Sequence, residues 1–264
     1  MNVAVNQGVR LAYEVTGAGE PLLMIQGLAY DRRGWGPLPG LLQEDYRVIR
    51  FDNRGVGDSD APEGPYTVAQ LAGDAAAVLD AEGIERAHVL GVSLGGFVAQ
   101  EFALAWPQRV DKLVLVSTAP GGPKSHPLPQ PTVDAFGRFP TLSREDGLRL
   151  LVENSVGARA VRELPALVDE IYAYRLEAAP PFAAWQAQAH AGATFDAYDR
   201  ISAITAPTLI VTGGDDVVVD TRNSNLLAEL ISNAQLVRVP ERGHLLIWED
   251  SAFVADVVKE FLRG

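Results

Sequence analysis

The sequence of 264 residues contains no cysteine. Disulfide bonds, thiol catalysis and thiolate metal ligands are therefore excluded, and the redox environment of the protein is left open. Positive charge is also scarce, because 22 lysine and arginine residues stand against 34 aspartate and glutamate residues, which gives a formal net charge of −12. We expect no nucleic-acid partner, since no excess of basic residues is available to neutralise phosphates.

Long apolar runs are missing as well. No run approaches the roughly 20 residues that a membrane-spanning helix needs, and residues 1–16 lack the basic segment and the apolar core of a signal peptide. We therefore expect a cytoplasmic protein with no membrane partner. Hydrophobic residues make up 47% of the chain, which suits one large α/β domain or a domain with an insertion.

Short apolar runs alternate with amphipathic helical patterns along much of the chain. Runs such as 21–25, 47–51 and 112–116 are typical of strands that are buried on both faces of a sheet. Helical patterns lie between these runs, for example a brief helix predicted over Trp35–Leu42 and a longer one over residues 68–79. This alternation predicts an α/β protein with a mainly parallel sheet and helices on both of its faces.

The alternation is interrupted between residues 120 and 197. Prolines at five positions predict an extended, stiff connector at the start of this segment: Pro120, Pro123, Pro127, Pro129 and Pro131. Only helical patterns follow over residues 141–192, with Ser143 as a helix cap. We therefore predict a helical insertion, 120–197, between the two parts of one core domain, 1–119 and 198–264.

The sequence Gly91-Val92-Ser93-Leu94-Gly95 joins an apolar strand pattern to a helical pattern. A sharp turn from strand to helix forces its middle residue into a strained conformation, and only glycines on either side leave room for the close neighbours. The hydroxyl of Ser93 would then project from the sheet as a nucleophile. A turn of small residues gives the same pattern, so the interpretation depends on finding a base and an acid.

A second glycine-rich stretch, 52–59, also follows a strand pattern. Gly55 and Gly57 match part of a dinucleotide-binding fingerprint, but Asp60 occupies the position of the third glycine, and two aspartates crowd the phosphate site. We therefore expect no nucleotide cofactor.

With an acid and a base in the right order, the chain resembles the α/β-hydrolase superfamily over nearly its whole length. The order in that family is serine, acid, histidine, and here it is Ser93, Asp216 and His244. The resemblance implies an α/β-hydrolase fold with an eight-stranded sheet and a helical cap. It also implies that the histidine takes the proton of the serine while the aspartate orients the imidazole.

His244 is the candidate base because it alone among the four histidines lies in a loop after the last strand pattern, in a Gly-His-Leu sequence similar to the G-H loop of the family. His88 lies within a strand and is expected to be a packed structural residue. His126 and His190 belong to the predicted insertion.

The acid commonly lies three residues after the glycine that ends the seventh strand of the family. Counting from Gly213 selects Asp216 and leaves Asp215 as the alternative. Paired carboxylates can also bind a metal ion, but no nearby histidine or glutamate completes a ligand set, so we expect no metal.

By the same resemblance, the backbone N–H groups of Leu28 and Leu94 form the oxyanion hole. Relatives usually have a histidine-glycine pair before the first of these donors, where this chain has Gln26-Gly27. Leu28 can still donate because the donor is a main-chain amide, while the loop-ordering role of the missing histidine is left open. The stretch 52–59 matches another loop of the family, which we interpret as structural.

These residues predict a cofactor-independent serine hydrolase that cleaves a carboxylic ester or lactone of a small, largely apolar substrate. Two alternatives stay open. One is hydrolysis of a carbon–carbon bond in a ring-cleavage product, although enzymes of that branch typically have a tryptophan where this chain has Leu245. The other is a low-turnover ligand receptor on the same fold.

The resemblance also places the insertion over Ser93 as a lid. Phe182, Trp185 and Ala189 share one face of a predicted helix. We expect Phe182 to pack against the core domain. We expect Trp185 to line an apolar substrate pocket that disfavours charged substrates.

Overall fold

A computed structural model describes all 264 residues. Its strands are β1 (Asn2–Asn6), β2 (Val9–Thr16), β3 (Glu20–Ile25), β4 (Tyr46–Phe51), β5 (Ala87–Val92), β6 (Val110–Val116), β7 (Thr208–Gly213) and β8 (Ala234–Val239). Its helices are α1 (Leu38–Leu42), α2 (Val68–Ala81), α3 (Leu94–Ala105), α4 (Gln130–Arg138), α5 (Arg144–Ser155), α6 (Ala158–Glu163), α7 (Pro165–Ala178), α8 (Phe182–Thr194), α9 (Arg222–Leu230), α10 (Leu246–Glu249) and α11 (Ser251–Arg263). None of these helices is both long and apolar enough to cross a membrane.

The eight strands form one sheet in the order β1-β2-β4-β3-β5-β6-β7-β8. Only the pairs β1–β2 and β2–β4 are antiparallel, and every other neighbouring pair is parallel. The predicted mainly parallel sheet of eight strands is thus confirmed. Because the carboxyl ends of parallel strands meet at one edge of a sheet, the loops after β3, β5, β7 and β8 gather there.

Both faces of the sheet are covered by helices, as predicted. One apolar core packs the sheet against α2, α3 and α9, and a second core packs the other face against α1, α10 and α11. Every residue of β5 and of β7 is buried. This double burial explains why the central strands are continuous apolar runs and lack the alternating pattern of half-exposed strands.

Helices α4 to α8 all lie between β6 and β7 in the chain, and the two ends of this segment meet. The N–H of Gly122 donates to the carbonyl of Phe195 at 2.9 Å, and the N–H of Ala197 donates to the carbonyl of Pro120 at 3.0 Å. The segment therefore leaves the sheet and returns to it at nearly the same point. This geometry supports the predicted insertion, whose division from the core domain stays a prediction.

Some predicted boundaries were wrong. Pro131 was expected in the extended connector, but it lies in the first turn of α4, which begins at Gln130. Proline fits there because the first N–H groups of a helix have no acceptor within it. The helix predicted from Trp35 begins at Leu38, and Trp35 is fully buried in the turn before it.

Candidate active site

Ser93 forms the turn between β5 and α3 in a strained backbone conformation, with φ 54° and ψ −120°. The chain is too crowded there for side chains at the flanking positions. A Cβ atom on Gly91 would lie 2.2 Å from the carbonyl oxygen of Gly95, and one on Gly95 would lie 2.0 Å from that of Ile25. The sharp turn therefore depends on both glycines, which is the geometry expected of a nucleophile elbow.

The loops after β7 and β8 bring Asp216 and His244 together. Nδ1 of His244 lies 2.9 Å from Oδ2 of Asp216. The other carboxylate oxygen, Oδ1, accepts the N–H groups of Val218 and Val219 at 2.8 and 2.9 Å. Asp216 is 6% exposed, whereas the side chain of Asp215 is exposed. The structure thus places Asp216, and not its neighbour, against the imidazole.

Ser93 and His244 line the same small cavity, which has a volume of about 120 Å³. The carbonyl oxygen of Ser93 accepts the hydroxyl of Thr118 at 2.8 Å, while the Ser93 hydroxyl has no hydrogen-bond partner within the protein. Contacts between a nucleophile and its base often tighten only when substrate is bound. No group of three or more histidine, cysteine or carboxylate side chains that could hold a metal ion occurs in the protein.

Ser93 also lines a larger cavity, of about 460 Å³, which shares Leu28 and Trp185 with the small one. Its walls include Leu94, Phe97 and Gly192, but not His244. Ser93 therefore lines two cavities that differ in size, and His244 lines only the smaller one.

Trp185 lines both cavities and is surrounded by aromatic rings. It stacks on Phe182 with ring centres 5.7 Å apart, and it meets Phe136 edge to face at 6.4 Å. The expectation that Phe182 packs on the core domain was wrong. Phe182 is 58% exposed because it lies at the first residue of α8, where the face of Trp185 is its packing partner.

The loop after β3 carries the second candidate oxyanion donor. Leu28 lines both cavities, and its N–H has no partner within the protein. Leu94 is the first residue of α3, so its N–H has no acceptor within the helix. The buried side chain of Gln26 accepts the N–H of Gly27 at 2.7 Å and donates to the carbonyl of Gly34 at 2.8 Å. Gln26 thus ties together the two ends of this loop.

A buried carboxylate stabilises the loop after β4 (residues 52–59), which supports the interpretation of this loop as structural. The fully buried carboxylate of Asp52 pairs with the guanidinium of Arg32 and also accepts the N–H groups of Arg32 and Asp58 at 2.7 and 2.8 Å. Burial raises the pKa of Asp52, and the hydrogen bonds from Arg32 and Asp58 oppose that rise. The amide of Asn53 donates to the carbonyl of Gln26 at 2.9 Å, linking this loop to the loop after β3.

Two side chains at the site were missed by sequence reasoning, Arg175 in α7 and Gln188 in α8. Arg175 lines the small cavity, is only 7% exposed and lies over the ring of Tyr30, with 4.2 Å from its guanidinium carbon to the ring centre. Gln188 is fully buried. The one available signal was spacing, since Gln188 shares a helix face with the buried Ala184 and Ala191.

Comparison with known proteins identifies the family of the chain. The profile of the alpha/beta hydrolase fold family matches residues 20–251. A protein of Azorhizobium caulinodans named as a candidate carbamate hydrolase, RutD, is 31% identical over 255 residues, which cover 96% of this chain and 94% of that protein.

Solved structures give the same result. Est816, described as an N-acyl homoserine lactone degrading enzyme, superposes with a TM-score of 0.84 and 28% identity, covering 98% of this chain and all of that one. The meta-cleavage product hydrolase CumD of Pseudomonas fluorescens superposes with a TM-score of 0.85 and 25% identity, over 100% of this chain and 97% of that one. From the profile match over most of its length and the relative above 30% identity, this chain belongs to the alpha/beta hydrolase family.

Proposed function

We propose that this hydrolase cleaves a carboxylic ester or lactone through an acyl-enzyme on Ser93. The observation that carries the proposal is the arrangement of Ser93 at the strained elbow, in the same cavity as an imidazole whose Nδ1 is bonded to Asp216. A relative named for a carbamate and a structural neighbour named for a lactone support hydrolysis at a carbonyl carbon in general.

In the first half of the reaction, His244 accepts the proton of the Ser93 hydroxyl while its oxygen bonds to the carbonyl carbon. The N–H groups of Leu28 and Leu94 stabilise the oxyanion that forms; one such donor typically contributes about 3 to 4 kcal/mol. The bond to the leaving alcohol then breaks, and that oxygen receives the proton from His244. Asp216 orients the imidazole and stabilises its transient positive charge.

In the second half, water takes the place of the alcohol. His244 accepts a proton from the water as its oxygen bonds to the acyl carbon, and returns that proton to Ser93 as the acyl–serine bond breaks. Apart from the substrate and this water, every group in the cycle belongs to the chain itself.

The two cavities bind different parts of the substrate in this proposal, one the acyl group and the other the alcohol. The leaving oxygen and the attacking water must both reach His244, which lines only the small cavity. That cavity, of about 120 Å³, has about a quarter of the volume of the other one. The cavity of about 460 Å³ lies within the usual range of ligand pockets, about 300 to 1,000 Å³. We therefore assign the acyl group to the large, mainly apolar cavity and a small alcohol to the small one.

The segment 120–197 is proposed as the lid of this site. Its helices supply Phe136, Trp185 and Gly192 to the cavity walls. Helix α8 also approaches the residue after Ser93, since a Cβ atom on Gly192 would be 3.4 Å from Leu94 Cδ1.

A substrate that carries a carboxylate, including a ring-cleavage product cut at a carbon–carbon bond, is the second candidate. Arg175 favours it, because its buried guanidinium donates to the carbonyl of Ala29 but has no carboxylate partner, so its charge is not neutralised until an anion binds. This finding also runs against the expectation that charged substrates are disfavoured. Hydrolysis of monoethyl succinate compared with diethyl succinate, in wild type and in Arg175→Met, separates the two candidates.

The proposed function is tested by labelling with a fluorophosphonate and by steady-state turnover of a panel of simple esters. We expect one covalent label on Ser93, and Ser93→Ala should lower kcat by about 10⁶-fold, as in sites whose triad acts as a unit. Labelling without sustained turnover of any ester would instead favour the receptor alternative. Turnover of the purified variant within tenfold of wild type would remove Ser93 from the mechanism.

A further inference from the structure

The turn that carries the oxyanion donor Leu28 is held by a residue from the inserted helices. The side-chain oxygen of Gln188, in α8, accepts the N–H of Ala29 at 2.9 Å. Its side-chain nitrogen donates to the carbonyl of Arg54, in the loop after β4, at 2.8 Å. Gln188 is fully buried, so both hydrogen bonds are shielded from water.

The backbone at Ala29 does not favour this geometry by itself. Residues 27–30 form a tight turn, in which the N–H of Tyr30 donates to the carbonyl of Gly27 at 3.3 Å. Ala29 has φ 62° at the third position of this turn, where glycine is preferred. An alanine there costs conformational energy, so the turn depends on contacts from outside to keep its peptide planes in place.

Hydrogen bonds from outside the turn hold the peptide groups on both sides of the Leu28 N–H, the proposed oxyanion donor. The peptide before it is fixed by Asn53, which donates to the carbonyl of Gln26, and by the Gln26 side chain, which accepts the N–H of Gly27. The peptide after it is fixed by Gln188. The N–H of Leu28 lies between the two fixed peptides and has no partner of its own within the protein.

The support behind Gln188 is rigid. Arg54, whose carbonyl accepts the Gln188 amide, has its guanidinium in a buried pair with Asp74, with both N–O distances at 2.6 Å. Asp74 belongs to α2, in the core of the protein. Gln188 therefore links the turn at Leu28, by hydrogen bonds at both ends of its amide group, to a loop that is anchored in the core.

We propose that Gln188 is a positioning residue of the oxyanion hole, which orients the Leu28 N–H by fixing the neighbouring Ala29 peptide. This inference rests on the proposed serine-hydrolase function. Oxyanion stabilisation is specific to the tetrahedral state, so loss of Gln188 weakens binding of that state more than binding of the substrate.

Two substitutions separate this role from simple packing. Gln188→Met keeps the size of the side chain and loses both hydrogen bonds. Gln188→Glu keeps an acceptor for the Ala29 N–H but sets a buried carboxylate against the carbonyl of Arg54. If Gln188 positions the turn, kcat should fall further in Gln188→Met, which has no acceptor for the Ala29 N–H. If its role is purely structural, the larger loss should occur in Gln188→Glu, because a buried carboxylate facing a carbonyl destabilises the folded protein more.

We expect Gln188→Met to lower kcat for a simple ester by about 10- to 100-fold, with KM within about threefold of wild type. The inhibition constant of n-butylboronic acid, which forms a tetrahedral adduct on serine, should rise in the same proportion. Gln186→Met is the matched control, because Gln186 is exposed on the same helix and lines neither cavity. Melting temperatures of all variants are measured alongside.

The outcomes are distinct. Wild-type kcat and boronate affinity in Gln188→Met, or activity that follows melting temperature across the variants, would overturn the inference and leave the proposed function intact. Absence of Ser93-dependent ester turnover in the wild-type protein would overturn the proposed function, and this inference with it.

Discussion

Asp216 and His244 lie 28 positions apart in the chain, yet Oδ2 of the carboxylate and Nδ1 of the imidazole are 2.9 Å apart. This bond uses one ring nitrogen and leaves Nε2 available for the proton exchange with Ser93 that we propose. Because the remaining oxygen of Asp216 is held by two backbone N–H groups, the carboxylate cannot turn away from the ring without losing them.

This relationship makes the two neighbouring aspartates unequal. We expect Asp216→Asn to lower kcat by about 10⁴-fold, because the imidazole loses its orientation and its charge partner. Asp215→Asn is the matched control and should change kcat little, since its side chain is exposed. Steady-state kinetics on one ester measures both, and the opposite ranking would assign the role to Asp215.

The unequal cavities predict which half of an ester is large. Ethyl octanoate and octyl acetate are isomers, so they differ in the side of the carbonyl that bears the long chain and little in overall hydrophobicity. We expect kcat/KM to be higher for ethyl octanoate, with the acyl chain in the larger cavity. Preference for octyl acetate would reverse the assignment of the two cavities.

Filling the larger cavity should cancel that preference. A Cβ atom on Gly192 meets no atom closer than 3.4 Å, so Gly192→Leu can enter the cavity. We expect it to lower kcat/KM for ethyl octanoate by at least about tenfold, because several methylenes at about 1 to 3 kcal/mol each lose their site, while ethyl acetate is affected little. Gly137→Leu, on α4 with no atom within 4 Å of its Cβ position, is the control.

Trp185 borders both cavities, so its removal should lengthen the preferred acyl chain. Trp185→Ala is expected to move the optimum of an acyl-length series upward while fluorophosphonate labelling of Ser93 is retained. Trp106→Ala is the control for loss of an indole, because Trp106 is partly buried, packs on Phe102 and lines neither cavity. An unchanged ranking in a folded variant would exclude Trp185 from the acyl site.

Glu249 gives a prediction for stability against pH. Its carboxylate accepts the N–H of Gly243 at 2.8 Å and that of Gly157 at 3.1 Å. Burial raises the pKa of Glu249, and these hydrogen bonds oppose the rise only in part. Between the unfolded pKa and the raised one, the folded state binds more protons, so the free energy of unfolding falls as pH rises and then levels off.

Glu249→Gln removes this titration and keeps an acceptor oxygen. Its stability relative to wild type should therefore increase as pH rises from about 4.3, the ordinary glutamate value, and become constant above the raised pKa. Urea unfolding at a series of pH values measures the difference. Glu241→Gln, whose side chain is 66% exposed in the same loop, should show no such trend.

The sheet could be predicted because its strands are buried on both faces and are therefore continuous apolar runs, with helical patterns between them. The pairing of Asp216 with His244 could be proposed from the resemblance to the α/β-hydrolase family, and it forms because both residues follow strands that end at the same edge of a parallel sheet. The start of α4 was missed because Pro131 has the same appearance in an extended connector as in the first turn of a helix. Arg175 was missed for another reason, since a charged residue on a helix normally faces solvent.

The contacts between the inserted helices and the turn after β3 also limit which segments of this hydrolase can be exchanged with those of its relatives. Exchange of residues 120–197, the proposed lid, between relatives is an attractive route to new specificity, because the two ends of this segment meet at one point. In this chain, however, a graft would discard the side chains that hold both polar groups of Ala29: Gln188 on its N–H and Arg175 on its carbonyl. A transplanted lid would therefore have to bring an equivalent donor and acceptor, or be combined with a glycine at position 29 that adopts the turn unaided.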